Sequence, residues 1–553
     1  MLVCRKFWVS SFIHSEIMGS KMACIRSLVS KAITMLVVLF ALIAVLLAYL
    51  LYRGLHNDYW KKRNVVQLGN IMTEYMYGDR SIAELYKDIY ENHPSEAYVG
   101  NFSGRKKGLV LRDLADVQSV FTNDFESFHS RGFVINEEDI LGDNLLFIDD
   151  YNRWRLIRHK VSPIFTSAKL KNMCYIIEKC AGDFVEMMKD HKELRERPFN
   201  ALYTYTTASV GAAVFGIDTN MKSSMDSPFL EMSWKTMEPS LLSNLKTLIM
   251  HVSPTLFRLL KFKSFGLFED FFVGAVKKML RMRRNEGKDM HDFISLCLEL
   301  QRIGTMRDAS TGYEMEPTDE VLAAQAFFFF LAGTETSATT MHFTLLELSS
   351  NMRILKKVHE EIDQAFEKSN GKITVEVLES LQYFDMVISE AVRKYPPIGI
   401  MQRECTSDSV LPAGNLKVEK GVMVTVPVFG IHRDPRYYPN PELFDPERFA
   451  PENVSSLPKN AYMPFGLGKR ICLVRFGFRS KTKLPSSWSG RGWVTKPLQS
   501  RAPSCFRRHV KQLAAFASAT VSTQPVLGQR GGFRAHTHVF LHGECLCLAV
   551  GRI

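Results

Sequence analysis

The segment Phe465-Gly466-Leu467-Gly468-Lys469-Arg470-Ile471-Cys472 gathers the parts of a thiolate ligand site. A thiolate binds metal, main-chain N–H groups of a Gly-containing loop hydrogen-bond its sulfur, the Arg supplies positive charge and the Phe shields the bond. A lone cysteine is more often a buried hydrophobe, so the pattern around Cys472 carries the reading. A second group, Ala332-Gly333-Thr334-Glu335-Thr336-Ser337, sets an acid beside a hydroxyl inside an apolar run. Glu335 and Thr336 together have the parts of a proton relay, the acid as source and the hydroxyl as positioner. Gly333 permits a close approach of backbone to ligand, and the neighbouring hydroxyls loosen the helical ladder into a groove. Glu390 and Arg393 stand three apart, which on a helix puts them on one face as an ionic pair.

These residues need a scaffold. The chain has 553 residues, 46% hydrophobic and 23% charged, which is globular and excludes whole-chain disorder and a polytopic membrane protein. Ten cysteines, sparse and irregularly spaced, argue against a secreted disulfide scaffold and for reduced thiols facing the cytosol. The body reads as mainly α with a minor β-sheet. Its clearest helix runs from about Asp319 to Ser350, with Thr318 as N-cap and Asp319 and Glu320 in the first turn. The stretch AQAFFFFLAGTETSATT is apolar on nearly all sides, so this helix crosses the centre of the domain. Gly421–Phe429 reads as a strand of the minor sheet.

The run FxxGxRxC resembles the haem-binding loop of cytochromes P-450, in which the cysteine is the fifth ligand of haem iron. The resemblance extends from roughly Asp58 to Gly477, in the texture of insect microsomal, xenobiotic-metabolising members. It implies a cytochrome P-450 fold and haem b (iron protoporphyrin IX) on Cys472. Glu335 and Thr336 are then the catalytic pair of the oxygen-activation motif, which relays protons during dioxygen reduction. Glu390 and Arg393 match ExxR, and Arg448 in the PERF segment completes their structural cluster. Trp154 and Arg158 match WxxxR and, with Arg470 and Arg403, are implied partners of the haem propionates, while Phe465 lies against the haem. By position on the distal helix and after ExxR, Phe327, Phe330, Ile398, Ile400 and Met401 are candidate pocket residues. The basic residues Arg153, Arg155 and Lys160 are candidates to meet an acidic reductase face.

The implied function is insertion of one oxygen atom of O2 into an apolar small molecule, with electrons from NADPH through NADPH–cytochrome P-450 reductase. The implied location is the endoplasmic reticulum membrane, with the catalytic domain facing the cytosol. Ala32 to Tyr52 is uncharged and long enough, at ~1.5 Å per residue, to cross a bilayer as an uncleaved anchor. Arg53, Lys61, Lys62 and Arg63 follow this span and favour the cytosolic orientation, whereas Arg5, Lys6, Lys21, Arg26 and Lys31 precede it and oppose that. Initiation at Met35 removes the conflict. The organisation is therefore read as an extension over 1–34, an anchor over 35–55, the haem-thiolate domain over 56–477 and a tail over 478–553. The stretch Leu241–Leu260 is a candidate to dip into the membrane surface.

The net charge of +12 sits almost wholly in the tail. From Phe478 to Ile553 there are 12 Lys/Arg and one acid, Glu544, so the body is near neutral and no nucleic-acid partner is expected. A basic tail that binds nucleic acid or anionic lipid is the rival outside the enzyme class. Two departures from the family pattern support a second alternative, a catalytically silent, membrane-anchored product with a defective haem pocket. Val474 stands where the family has Gly, and the family's terminal elements are absent from the tail sequence.

Overall fold

The structure is a computed structural model that describes residues 34–42, 45, 58–78, 80–104, 106–190, 197–216, 227–237, 241–287, 292–371 and 374–473. The chain divides into two units, 1–65 and 66–553. In the first, residues 34–42 are helical, with Met35, Leu36, Val37, Val38, Leu39, Phe40 and Leu42 exposed. The extension 1–33, most of the remaining anchor span, Val474 and the tail 478–553 lie outside the described residues.

The second unit is mainly α with a minor sheet. Its centre is the helix Asp319–Ser350, 32 residues long and capped as its sequence predicts, with Thr318 Oγ1 accepting from Val321 N. At ~1.5 Å per residue it spans about 48 Å. By length and hydropathy alone it would pass as a membrane span, but 67% of its most apolar window is buried inside the protein. Its partners are the helices Pro198–Phe215 and Gly266–Glu286. Gly333 marks the tightest approach, because a Cβ there would lie 3.0 Å from Val210 Cγ2. That glycine therefore serves helix packing.

The five-stranded sheet has the order Gln67–Asn70, Tyr98–Ser103, Lys106–Leu111, Met423–Val426, Met401–Glu404. Its neighbours run parallel, antiparallel, parallel, antiparallel along that order. The last strand matters for the site, since it carries Met401 and Arg403. The strand Met423–Val426 is buried at all four positions, as an interior strand with both faces covered requires. The helix Gln382–Lys394 places Glu390 and Arg393 on its inner face.

Candidate functional site

The Cys472 loop is built by two left-handed glycines. Gly466 and Gly468 have φ of +79° and +68°, a region that side chains disfavour. Gly468 also lies so close to the backbone of Phe121 that an added Cβ would sit 1.7 Å from its carbonyl oxygen. The loop then makes one 3-10 turn, Gly468–Arg470. It closes with Cys472 N donating to Phe465 O at 2.9 Å, which fixes the cysteine at the head of the loop. Cys472 is a half-buried free thiol.

Around this loop the fold collects four guanidinium groups. Arg158, on the helix Tyr151–Val161, donates to Ile471 O at 2.6 Å. Arg470 donates to Ile148 O at 2.8 Å and Leu145 O at 3.4 Å, and lies 4.4 Å from the Trp154 ring centre. Arg403 stacks 4.5 Å above the ring of Phe121, the same residue that abuts Gly468. Arg131, which sequence reasoning missed, reaches Arg470 O at 3.5 Å. The central helix holds the frame through Gln325, which accepts from Leu145 N and donates to Asp143 O.

The electrostatics of this group are unfavourable as it stands. Burial first, then Arg131 and Arg470, push the Arg403 guanidinium well below the usual arginine range. Arg470 is lowered in the same way by burial and by Arg131 and Arg158, with Asp149 acting against them. Burial lowers Arg131 and Arg158 to about 10, and Cys472 opposes both shifts. The buried Nε atoms of Arg403 and Arg470 have no hydrogen-bond partner among the described residues. Unpaired buried charge is costly, so a cluster of this kind is built for an anionic ligand. Two carboxylates beside a half-buried thiolate ligand match an iron protoporphyrin: propionates for the arginines, iron for Cys472. The residues present fit that group.

The helical motif Ala332–Ser337 is continuous and unkinked. Its hydroxyls bond back along the helix: Thr334 Oγ1 to Phe330 O at 2.8 Å and Thr336 Oγ1 to Ala332 O at 2.6 Å. Such back-bonding competes with the helical ladder for those carbonyls. What opens the helix is a stripe. Phe328, Ala332 and Thr336, four residues apart, are half-buried or exposed, and Gly333 and Ser337 beside them are accessible too. Glu335 is buried on the adjacent face.

Two expected pocket residues belong to the core instead. Phe327 packs on Phe272 and Phe265 at 4.9 and 5.2 Å between ring centres, and Phe330 packs on Phe272 at 5.3 Å. One residue is a turn of about 100°, so Phe328 takes the accessible position between them. Ile400 is also core, in the cluster with Ile71, Leu85 and Val110. Met401 lies beside the Cys loop, its Sδ 3.7 Å from a Cβ built on Gly466, and Ile398 is exposed. In the basic cluster, Arg153 is paired with Asp143 through Nε at 2.8 Å, and Arg155 with Asp308 at 3.1 Å. Neither presents an unpaired cation, because both are tied to loops that shape the fold.

Glu390 and Arg393 form a fully buried, two-pronged pair, at 2.6 and 2.8 Å. Arg393 also donates to His432 O and Pro441 O, both at 2.7 Å. Glu390 accepts from Asp445 N at 3.0 Å and faces Arg448 Nε at 3.5 Å. Burial raises the Glu390 carboxyl against the opposing pull of Arg393.

His432, also missed in the sequence, ties this cluster to the loop. Its Nε2 accepts from Met463 N at 3.0 Å, so Nδ1 carries the proton toward Arg393 O at 3.2 Å. Burial and Arg393 push its pKa down from 6.5 to about 3. The folded state then binds fewer protons than the unfolded state between those values. Stability is fully present above pH 6.5 and falls as the pH drops toward 3, by at most about 1.4 kcal/mol per pH unit. The carboxyls of Asp116 and Asp385, raised by burial to about 6, act in the opposite direction. The expected result is therefore differential: as the pH falls from 6 to 4, the parent loses melting temperature relative to His432→Gln. Parallel curves would show that His432 is not held neutral.

The family model for Cytochrome P450 matches residues 69–474. Cytochrome P450 6B7 of Helicoverpa armigera is 34% identical over 463 residues, 79% of this chain and 88% of that protein. Cytochrome P450 6B5 of Papilio glaucus is 36% identical over 455 residues, covering 79% and 94%. Probable cytochrome P450 6a13 of Drosophila melanogaster is 34% identical over 499 residues, covering 84% and 96%.

Proposed function

The chain belongs to the cytochrome P450 family of haem monooxygenases, and on that premise we propose that it oxidises apolar small molecules with electrons from NADPH–cytochrome P-450 reductase at the endoplasmic reticulum membrane. The observation that carries this reading is the set of buried arginines with unpartnered Nε atoms around Cys472. Arg131, Arg158, Arg403 and Arg470 would neutralise the propionates of haem b, and Cys472 would hold its iron. When bound, haem supplies the oxidation chemistry, which a thiolate ligand favours by pushing electron density to the metal.

The protein's own part is binding, orientation and proton delivery. Glu335, buried on the central helix beside Thr336, would be the source of the proton. Thr336 Oγ1, held by its bond to Ala332 O, would leave its lone pairs toward the accessible stripe and position the acceptor of that proton. Phe328 and Met401 would contact the substrate, and both favour apolar surface.

Membrane attachment is supported by the exposed apolar helix 34–42. It is supported again by an exposed patch of Leu242, Leu245, Leu248, Leu256, Leu259 and Leu260. The cytosolic orientation follows from the basic residues after the span.

The reduced, carbon monoxide-treated chain in membranes tests the reading. The expected result is the strongly red-shifted Soret band of thiolate-ligated haem, present in the parent and absent in Cys472→Ser. A parent with no haem band, or with only the band of a protein lacking thiolate ligation, would overturn it in favour of a catalytically silent chain.

A further inference from the structure

A buried polar group stands beside Glu335, on the face of the central helix next to its accessible stripe. Two contacts fix how the helix Pro198–Phe215 lies there. Gly333 abuts Val210, and the His342 ring meets Phe199 edge-on at 5.8 Å between centres. The pairing is thus antiparallel, and the residues facing Glu335 come from between Phe199 and Val210. Ala338, three positions and so roughly one turn beyond Glu335, lies in the same core cluster as Tyr203. Glu335 therefore lies on the stretch of the central helix that packs against the segment carrying Tyr203 and Thr207.

Those two residues are almost fully buried, as is Ser233 on the helix Pro228–Met237. Their hydroxyls are linked. Ser233 Oγ donates to the Tyr203 hydroxyl at 2.7 Å, and Thr207 Oγ1 lies 3.4 Å from Ser233 Oγ. The Tyr203 proton points to Ser233 O at 3.1 Å, an acceptor already served by Thr236 Oγ1 at 2.6 Å. That proton can turn away at little cost, since the carbonyl keeps its shorter bond.

We propose that the Tyr203 hydroxyl, held by Ser233, is a positioning group for Glu335, donating to its carboxylate and aligning it for proton delivery toward Thr336. The proposal rests on the functional reading above. Burial and, beside it, the Glu335 carboxylate push the Tyr203 phenol up, so the two groups sense one another. Tyr203 stays protonated and is a donor throughout, never the proton's source. The helix Ser167–Asp190, whose Phe184 and Val185 share the Tyr203 cluster, brings the carboxyl of Asp183 to this region, with one oxygen buried. His342 is lowered by its own burial, and Glu231 and Lys235 pair with each other at the surface at 2.6 Å.

The test is Tyr203→Phe, which keeps the ring contacts with Trp234 and Phe199, with Ser233→Ala as a second variant. The first readout is infrared titration of the Glu335 carboxyl in the full chain, its band assigned by loss in Glu335→Gln. Removing a donor to the anion raises the carboxyl's pKa, so the Glu335 band is expected to titrate at higher pH in Tyr203→Phe and, by a smaller shift, in Ser233→Ala. The second readout is kinetic: kcat falls about tenfold, part of what a placed proton donor supplies, while KM stays unchanged. An unmoved Glu335 titration with an unchanged kcat overturns the proposal, as does a lower melting temperature with neither readout moved. If the parent lacks the thiolate–carbon monoxide band, the functional reading fails; if the band is present and Tyr203→Phe is silent, only this inference fails.

Discussion

Arg393→Ala is expected to cost roughly 3–5 kcal/mol of folding stability, the range for breaking one half of a buried ion pair. The substitution removes both prongs to Glu390 and leaves the carbonyls of His432 and Pro441 without a donor. Glu390 would stay buried, with only Asp445 N and the longer contact to Arg448 to hold its charge. Against a typical total of about 5–15 kcal/mol, the loss leaves a marginal protein. It should spread to the Cys loop, because the His432 carbonyl and ring join Arg393 to Met463. Thermal or denaturant unfolding of the variant measures it. A loss under about 1 kcal/mol, as for a solvated pair, would mean the cluster is not buried as described. Changing both partners to apolar residues of similar volume should recover part of the loss, since it removes the stranded charge.

Gly468→Ala is the second large effect. The new Cβ would stand 1.7 Å from Phe121 O, a backbone atom, at a φ of +68°. The left-handed backbone costs about 1–2 kcal/mol for a non-glycine residue, and relieving the overlap costs roughly 1–3 kcal/mol more. The shift cannot stay local, because Phe121 also carries Arg403. Both lower melting temperature and loss of the red-shifted carbon monoxide band are expected. Gly466→Ala is the control: its φ is +79° but its Cβ would meet nothing closer than 3.7 Å, so it should suffer the backbone strain alone. Equal damage from the two substitutions would show that strain, and not the contact with Phe121, governs the loop.

Much of the site was legible because its residues are close in sequence. ExxR is one helical face, the Cys loop is eight consecutive residues, and the central helix announced its cap, length and burial by composition. The errors came where a helix had to choose which way each side chain turns. An all-apolar run such as AQAFFFFLAG has no polar face to set its phase. Phe327 and Phe330 were therefore as plausible as Phe328, until the helices Pro198–Phe215 and Gly266–Glu286 claimed them for the core. A helical glycine such as Gly333 serves a ligand or a neighbouring helix equally well on paper, and its packing on Val210 came only with the fold.

The amino-acid sequence by itself determined the family, the cysteine loop, the helical class and the identity of the ionic pair, because each is written in short-range spacing. Only the tertiary structure decided which charges are compensated. It paired Arg153 and Arg155 with Asp143 and Asp308, and gathered Arg131, Arg158, Arg403 and Arg470 from four distant segments with their charges turned toward one another. It also joined Tyr203 to Ser233 and set His432 between Arg393 and Met463. A charge or hydroxyl acquires its role from its distance to partners and from the water excluded around it. Both are fixed by long-range packing, which no local pattern records.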